Sequence, residues 1–134
     1  MMTKRISAIS LVIAAALCAA NVACAQEAPG FIVKTYPTQA ISAAVQEMNA
    51  LGGPDAAISP KVRDLIGLGV AAQVPCAYCV YYHTKAAKAF GATDAEIRET
   101  IAQAAAVRKW STVLNGSAYD LDIWKTEVNM MFAQ

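Results

Sequence analysis

Apolar residues recur at spacings of three and four through most of the chain beyond residue 36, the period of helices that bury one face. Ile41, Ala44, Val45, Met48 and Leu51 form the first stripe. Pro37 before it suits an opening turn and Gly52-Gly53 after it a stop, which predicts a core helix over about residues 37–51. Ser59-Pro60 is an N-cap followed by a proline at the first helical position, and it predicts a helix from Pro60 to about Gln73. Val62, Leu65, Ile66, Leu68 and Val70 make that helix apolar over a surface broad enough to be largely buried. Asp64, near its start, reads as a solvated carboxylate favoured by the helix dipole.

Val74-Pro75 ends this helix, and Pro75 is expected to open the next, which runs past Tyr81, Tyr82, Ala86, Ala87 and Phe90 to a left-handed stop at Gly91. Thr93-Asp94-Ala95-Glu96 is a capping box for a helix with Ile97, Ile101, Ala104, Ala105 and Val107 on one side. Asn115-Gly116 marks a turn. A last helix is expected from about Ser117 to Phe132, with Leu121, Trp124, Val128 and Met131 as core or subunit contact. No segment alternates with a period of two, and there is no repeat or low-complexity tract. The expected fold is all-α, with about five helices.

The first residues follow another logic. Lys4 and Arg5 precede an apolar run from Ile6 to Ala20, and Ala23-Cys24-Ala25 offers small residues for a signal peptidase. Residues 1–25 are therefore expected to be a signal peptide cleaved after Ala25, and the mature protein to be periplasmic or secreted, with no stable membrane insertion. The small-residue exit and the following Pro29-Gly30 argue against a transmembrane anchor. Asn21 stands where a lipoprotein signal calls for leucine. Residues 26–36 have no clear period and read as an amino-terminal arm, leaving residues 37–134 as the domain.

Export changes the chemical inventory. Of four cysteines, Cys18 and Cys24 leave with the signal, so only Cys76 and Cys79 remain. Losing Lys4 and Arg5 turns 11 basic against 10 acidic residues into an excess of one acidic residue. There is no basic block, and nothing recruits nucleic acid.

The chemistry is concentrated in Cys76-Ala77-Tyr78-Cys79-Val80-Tyr81-Tyr82-His83, which holds both remaining thiols and the only histidine. On a helix these three side chains fall within an arc of roughly 60°. A base four residues from a thiol can take its proton directly or through one water, giving the nucleophilic thiolate, and the second thiol is placed to resolve an oxidised first one into a disulfide. A helix N-terminus adds a second source of thiolate stabilisation. Four readings compete: a structural disulfide, a zinc site, two buried cysteines without a role, and a dithiol redox centre. So short a loop makes a poor staple, and zinc lacks a fourth ligand. Redox catalysis is the reading that uses all three residues.

The segment Arg63-Asp64-Leu65-Ile66 together with Cys76-x-x-Cys79-x-x-x-His83 resembles the core motif of the AhpD-like alkylhydroperoxidases within the carboxymuconolactone decarboxylase family. The likeness continues through Ala86-x-x-x-Phe90-Gly91-Ala92-Thr93-x-x-Glu96-Ile97 and Trp110-Ser111-Thr112-Val113-Leu114-Asn115-Gly116, and covers roughly residues 37–125. It implies a helical fold assembled as a homotrimer or homohexamer, with no metal and no organic cofactor. It makes Cys79 the thiol that attacks a hydroperoxide, Cys76 the resolving partner and His83 the proton relay. The acid of the relay falls on Asp64, where the family usually has glutamate; one methylene fewer implies a gap that a further water fills. Tyr78 stands where some members have a second histidine, and a phenol is a poor base at neutral pH. Tyr78 and Tyr82 are the candidates for the substrate pocket.

The leading expectation is an exported dithiol peroxidase with peroxiredoxin activity, whose partners are a hydroperoxide and a thiol reductant. An exported dithiol in an oxidising space rests as the disulfide unless a dedicated reductant reaches it, so an envelope thiol–disulfide oxidoreductase is the first alternative. A lactone decarboxylase, which would not rely on the cysteine pair, and a non-enzymatic redox sensor or structural oligomer are the others.

Overall fold

A computed structural model describes residues 28–133; the expected signal peptide lies outside them. The described chain is helical, without a strand, and forms two compact units that divide between Ala57 and Ile58. In the first, α1 (Gly30–Thr35) is followed by a 3-10 turn (Thr38–Ala40) and α2 (Ile41–Gly52). The arm therefore carries a helix that the sequence did not announce. Six residues are under two turns, too few to display a period, and the segment is held by the bonds from Tyr36 N–H to Ile32 O and from the Thr35 hydroxyl to Phe31 O. On α2 only Ile41 is fully buried, while Met48 and Leu51 are exposed, so the helix is less of a core element than its stripe suggested.

The second unit contains α3 (Pro60–Gln73), α4 (Ala77–Ala89), α5 (Asp94–Gly116) and α6 (Leu121–Phe132). Helix α3 is the spine, packed along both α4 and α5. Leu68 and Ala87 are fully buried and Ile97 nearly so, with Leu65, Val80 and Ala92 against them. The Ser59 hydroxyl accepts from the Val62 N–H ahead of Pro60, as expected. The breadth of the apolar surface on α3 is another matter. Val62, Ile66, Val70 and Val74, spaced by four, remain exposed on the single chain and line a groove of about 700 Å³ with Gly69, Thr100, Ala104 and Val107.

Helices α3, α4 and α5 end in the same way. The N–H two residues past the cap bonds back to the carbonyl five residues earlier, and the residue between takes positive φ. Gly91 fills that position after α4 (φ 86°), and the Ala92 N–H reaches Ala87 O. After α5 it is Ala118 (φ 50°), with Tyr119 N–H on Leu114 O, which moves the turn beyond Asn115-Gly116. The Asn115 amide is engaged inside the helix, donating to Ser111 O, and cannot close a turn of its own. Helix α6 accordingly starts at Leu121 rather than Ser117, where the Asp120 carboxylate accepts from the N–H groups of Asp122 and Ile123.

After α3 the positive-φ residue is Pro75 (φ 22°), with Cys76 N–H on Ala71 O at 3.1 Å. Pro75 thus closes the old helix instead of opening the new one. The end of α3 is further tied to α5, because Arg108 Nε donates to Gln73 Oε1 and the Gln73 amide donates to Ala104 O.

The capping box of α5 forms in full, with Thr93 N–H on Glu96 Oε2 and Glu96 N–H on the Thr93 hydroxyl. Lys61 of α3 adds a salt bridge to Glu96 at 2.8 Å. The Lys61 ammonium, then the Thr93 donors, hold the Glu96 carboxyl down to about 2. A depressed folded-state value means that its contribution is present above the ordinary carboxyl range and is lost as pH falls through the folded one. The urea midpoint of the wild type is expected to decline between about pH 4.5 and 2 more steeply than that of Glu96→Gln, and equal slopes would contradict this.

Candidate functional site

Cys76 is the N-cap of α4 and Cys79 its third residue, so the two sulfurs bracket the first turn. They are joined as a disulfide, with Cα atoms 5.3 Å apart. The Cys79 N–H points at the Cys76 sulfur at 3.2 Å, the place a serine or aspartate oxygen takes in an ordinary cap. The sequence had put Cys76 inside the helix. At the N-cap it meets the Cys79 N–H and the positive end of the dipole, an environment that stabilises a thiolate once the bond is reduced. Both cysteines are half-buried.

His83 lies one turn beyond Cys79 on α4, at the spacing that makes helical side chains neighbours. Its Nδ1 is 2.9 Å from Oδ1 of Asp64 on α3. A carboxylate accepts, so Nδ1 carries a proton and Nε2 is the ring nitrogen left for other partners. Asp64 is 3 % exposed, not the solvated helix-start carboxylate that its position suggested. It turns inward because α4 covers that face of α3 and brings an imidazole to meet it. A buried carboxylate needs such a partner. The pair closes directly, so the shorter acid needs no water to reach the imidazole.

Room for this ring comes from Gly67, which the sequence reading passed over. A Cβ built there would fall 2.6 Å from Nδ1 and 2.7 Å from Nε2 of His83, and closer still to Cε1. The signal available was a glycine inside a well-capped helix, an unfavourable choice that asks for a reason. Tyr82 meets the His83 ring edge-on, centroids 5.1 Å apart, and is 58 % exposed; Tyr78 is 89 % exposed between the cysteines. The structure thus joins Asp64 of α3 to His83 of α4, sets Tyr82 against the ring and places the cysteine pair at the start of the same helix, while the Tyr78 side chain stands out in solvent. The α3–α5 groove is lined by none of Cys76, Cys79 or His83. Among the described residues no three or more His, Cys, Asp or Glu side chains converge as a metal site, and no helix is long and apolar enough to cross a membrane.

The model of the carboxymuconolactone decarboxylase family matches residues 39–120, a span that contains Asp64, both thiols of the pair and His83. No curated protein and no solved structure matches the chain.

Proposed function

The chain belongs to the carboxymuconolactone decarboxylase family, and from that premise we propose that it is an exported dithiol peroxidase acting through Cys79, Cys76, His83 and Asp64. The observation that carries this reading is the Asp64–His83 pair one turn beyond Cys79. A structural disulfide has no use for an imidazole held by a buried carboxylate beside it. A thiol that must lose a proton has.

In the proposed cycle His83 Nε2 takes the Cys79 proton, directly or through one water, while Asp64 holds the ring and stabilises the imidazolium. The thiolate attacks the distal peroxide oxygen. The S–O bond forms, the O–O bond breaks, and the leaving alkoxide takes the proton held on His83 Nε2, directly or through the same water, and departs as alcohol. The Cys79 sulfenic acid then condenses with the Cys76 thiol, releasing water and giving the disulfide. An external dithiol reduces that disulfide by exchange. The path begins outside the described residues, with the signal-like stretch ending at Ala25 supporting an envelope location. Assembly with further copies of the chain, as a homotrimer or homohexamer, would cover the apolar row of Val62, Ile66, Val70 and Val74.

The test is hydroperoxide consumption by the mature, pre-reduced protein with a small dithiol in excess. Multiple turnovers are expected; consumption that stops at one equivalent per protein contradicts the reading. A second reading, thiol–disulfide exchange with other proteins, is favoured by Cys76 at the N-cap, where the dipole acts on it most strongly. It predicts reduction or oxidation of a protein disulfide with no peroxide turnover.

A further inference from the structure

We propose that Gly67 is a positioning residue for His83: the bare backbone of α3 at this point is the floor on which the imidazole lies, and it keeps Nδ1 within reach of Asp64. Asp64 and Gly67 are three residues apart and so share the face of α3 that meets α4. One supplies the acceptor, 2.9 Å from Nδ1, and the other the space. All three of the nearest atoms to a Cβ at Gly67 belong to the His83 ring, and none to backbone. An added methyl therefore collides with the imidazole and with nothing else so closely. The obstacle is a side chain able to swing away, so the helix tolerates the methyl and the ring gives way. Displaced, Nδ1 leaves Asp64, and the ring loses the bond that keeps its proton on Nδ1.

Gly69 provides the internal comparison. It is in the same helix, but a Cβ there would make ordinary contact with Thr100 Cγ2 at 3.7 Å and Ala104 Cβ at 3.8 Å. Two glycines in one helix thus carry different constraints. Gly69→Ala changes helix propensity and adds a methyl that displaces neither neighbour, while Gly67→Ala changes propensity and evicts a ring.

The functional consequence rests on the peroxidase reading, whereas the positioning itself does not, and the experiment separates them. The tautomer of His83 is read by long-range proton–nitrogen correlation NMR on the full mature protein. Wild type and Gly69→Ala are expected to show the proton on Nδ1. Gly67→Ala is expected to shift the neutral ring toward the Nε2-protonated form, and to lower peroxide turnover by about 10²-fold, the lower range for losing a positioned base. A Gly67→Ala protein that keeps the Nδ1 proton overturns the proposal. A shifted tautomer without peroxide turnover by any variant, wild type included, leaves the positioning role standing and removes the peroxidase reading.

Stability supplies the second arm, which holds even where Gly67→Ala folds poorly. In the wild-type background Gly67→Ala is expected to lower the urea midpoint, because buried Asp64 loses its partner. In a His83→Ala background the obstacle is gone, and the same change is expected to raise the midpoint through helix propensity. A midpoint that falls equally in both backgrounds overturns the proposal.

Discussion

Cys79→Ser is expected to reduce hydroperoxide turnover by about 10⁴-fold or more, the scale seen when a nucleophile is removed from a site that works as a unit. A serine hydroxyl ionises far less readily than a thiol, and a neighbouring imidazole does not make up the difference against a peroxide oxygen. Cys76→Ser is expected to slow steady-state turnover by a different route, because recycling is left to the external thiol. Its Cys79 still attacks once, but the sulfenic acid has no thiol partner within the chain, since Cys18 and Cys24 fall within the expected signal peptide. The two variants are therefore told apart by a rapid-mixing experiment. Cys76→Ser gives a single burst of about one equivalent of alcohol and Cys79→Ser gives none. A burst from Cys79→Ser instead would reverse the roles and assign the attack to the N-cap thiol, where the helix dipole, worth roughly 0.3–1 kcal/mol, acts.

Asp64→Asn carries the second large effect. The amide is nearly isosteric, so the fold is retained. It cannot stabilise an imidazolium, and its NH₂ can donate to Nδ1 and drive the ring proton to Nε2. The lone pair needed for the thiol would then be occupied. Turnover is expected to drop by roughly 10²–10³-fold, within the span attributed to general acid–base groups, with the loss in kcat and little change in the KM for the peroxide. Turnover within about threefold of wild type, at unchanged stability, would show that the Asp64–His83 pair is structural, and would detach the imidazole from the chemistry.

What was legible in the sequence was whatever depends on a local signal. Ser59-Pro60 and Val74-Pro75 bound α3 correctly, and Thr93-x-x-Glu96 formed the capping box that its spacing promised. Gly91 took the left-handed position because no side chain had to be accommodated there. Misreadings came where two signals competed. Asn115-Gly116 has turn chemistry, yet the helix runs on because its amide found a carbonyl one turn back and the left-handed residue fell on Ala118. Pro75 looks like a helix opener and serves as a helix closer, because the Cys76 N–H was already committed to Ala71 O.

Asp64 shows what single-residue reasoning leaves out. Seen alone it is a helix-start carboxylate. Only the family resemblance singled it out, and only the packing of α4 across α3 reveals that it is buried against His83. Gly67 was invisible for the same reason. Its role is a space, and a space is defined by the residue that fills it from another helix. The exposure of Val62, Ile66 and Val70 is the converse case, in which an apolar stripe stays exposed among the described residues.

In the proposed cycle Cys79 is the thiol oxidised by peroxide, with Cys76 resolving it. The most direct measurement treats reduced Cys76→Ser with one equivalent of hydroperoxide, traps sulfenic acid with a cyclic 1,3-dione, and maps the adduct by peptide mass spectrometry. A stoichiometric adduct on Cys79 is expected, and it fades when His83 is also replaced. A Cys79 thiol that stays unmodified under these conditions would contradict the proposed cycle.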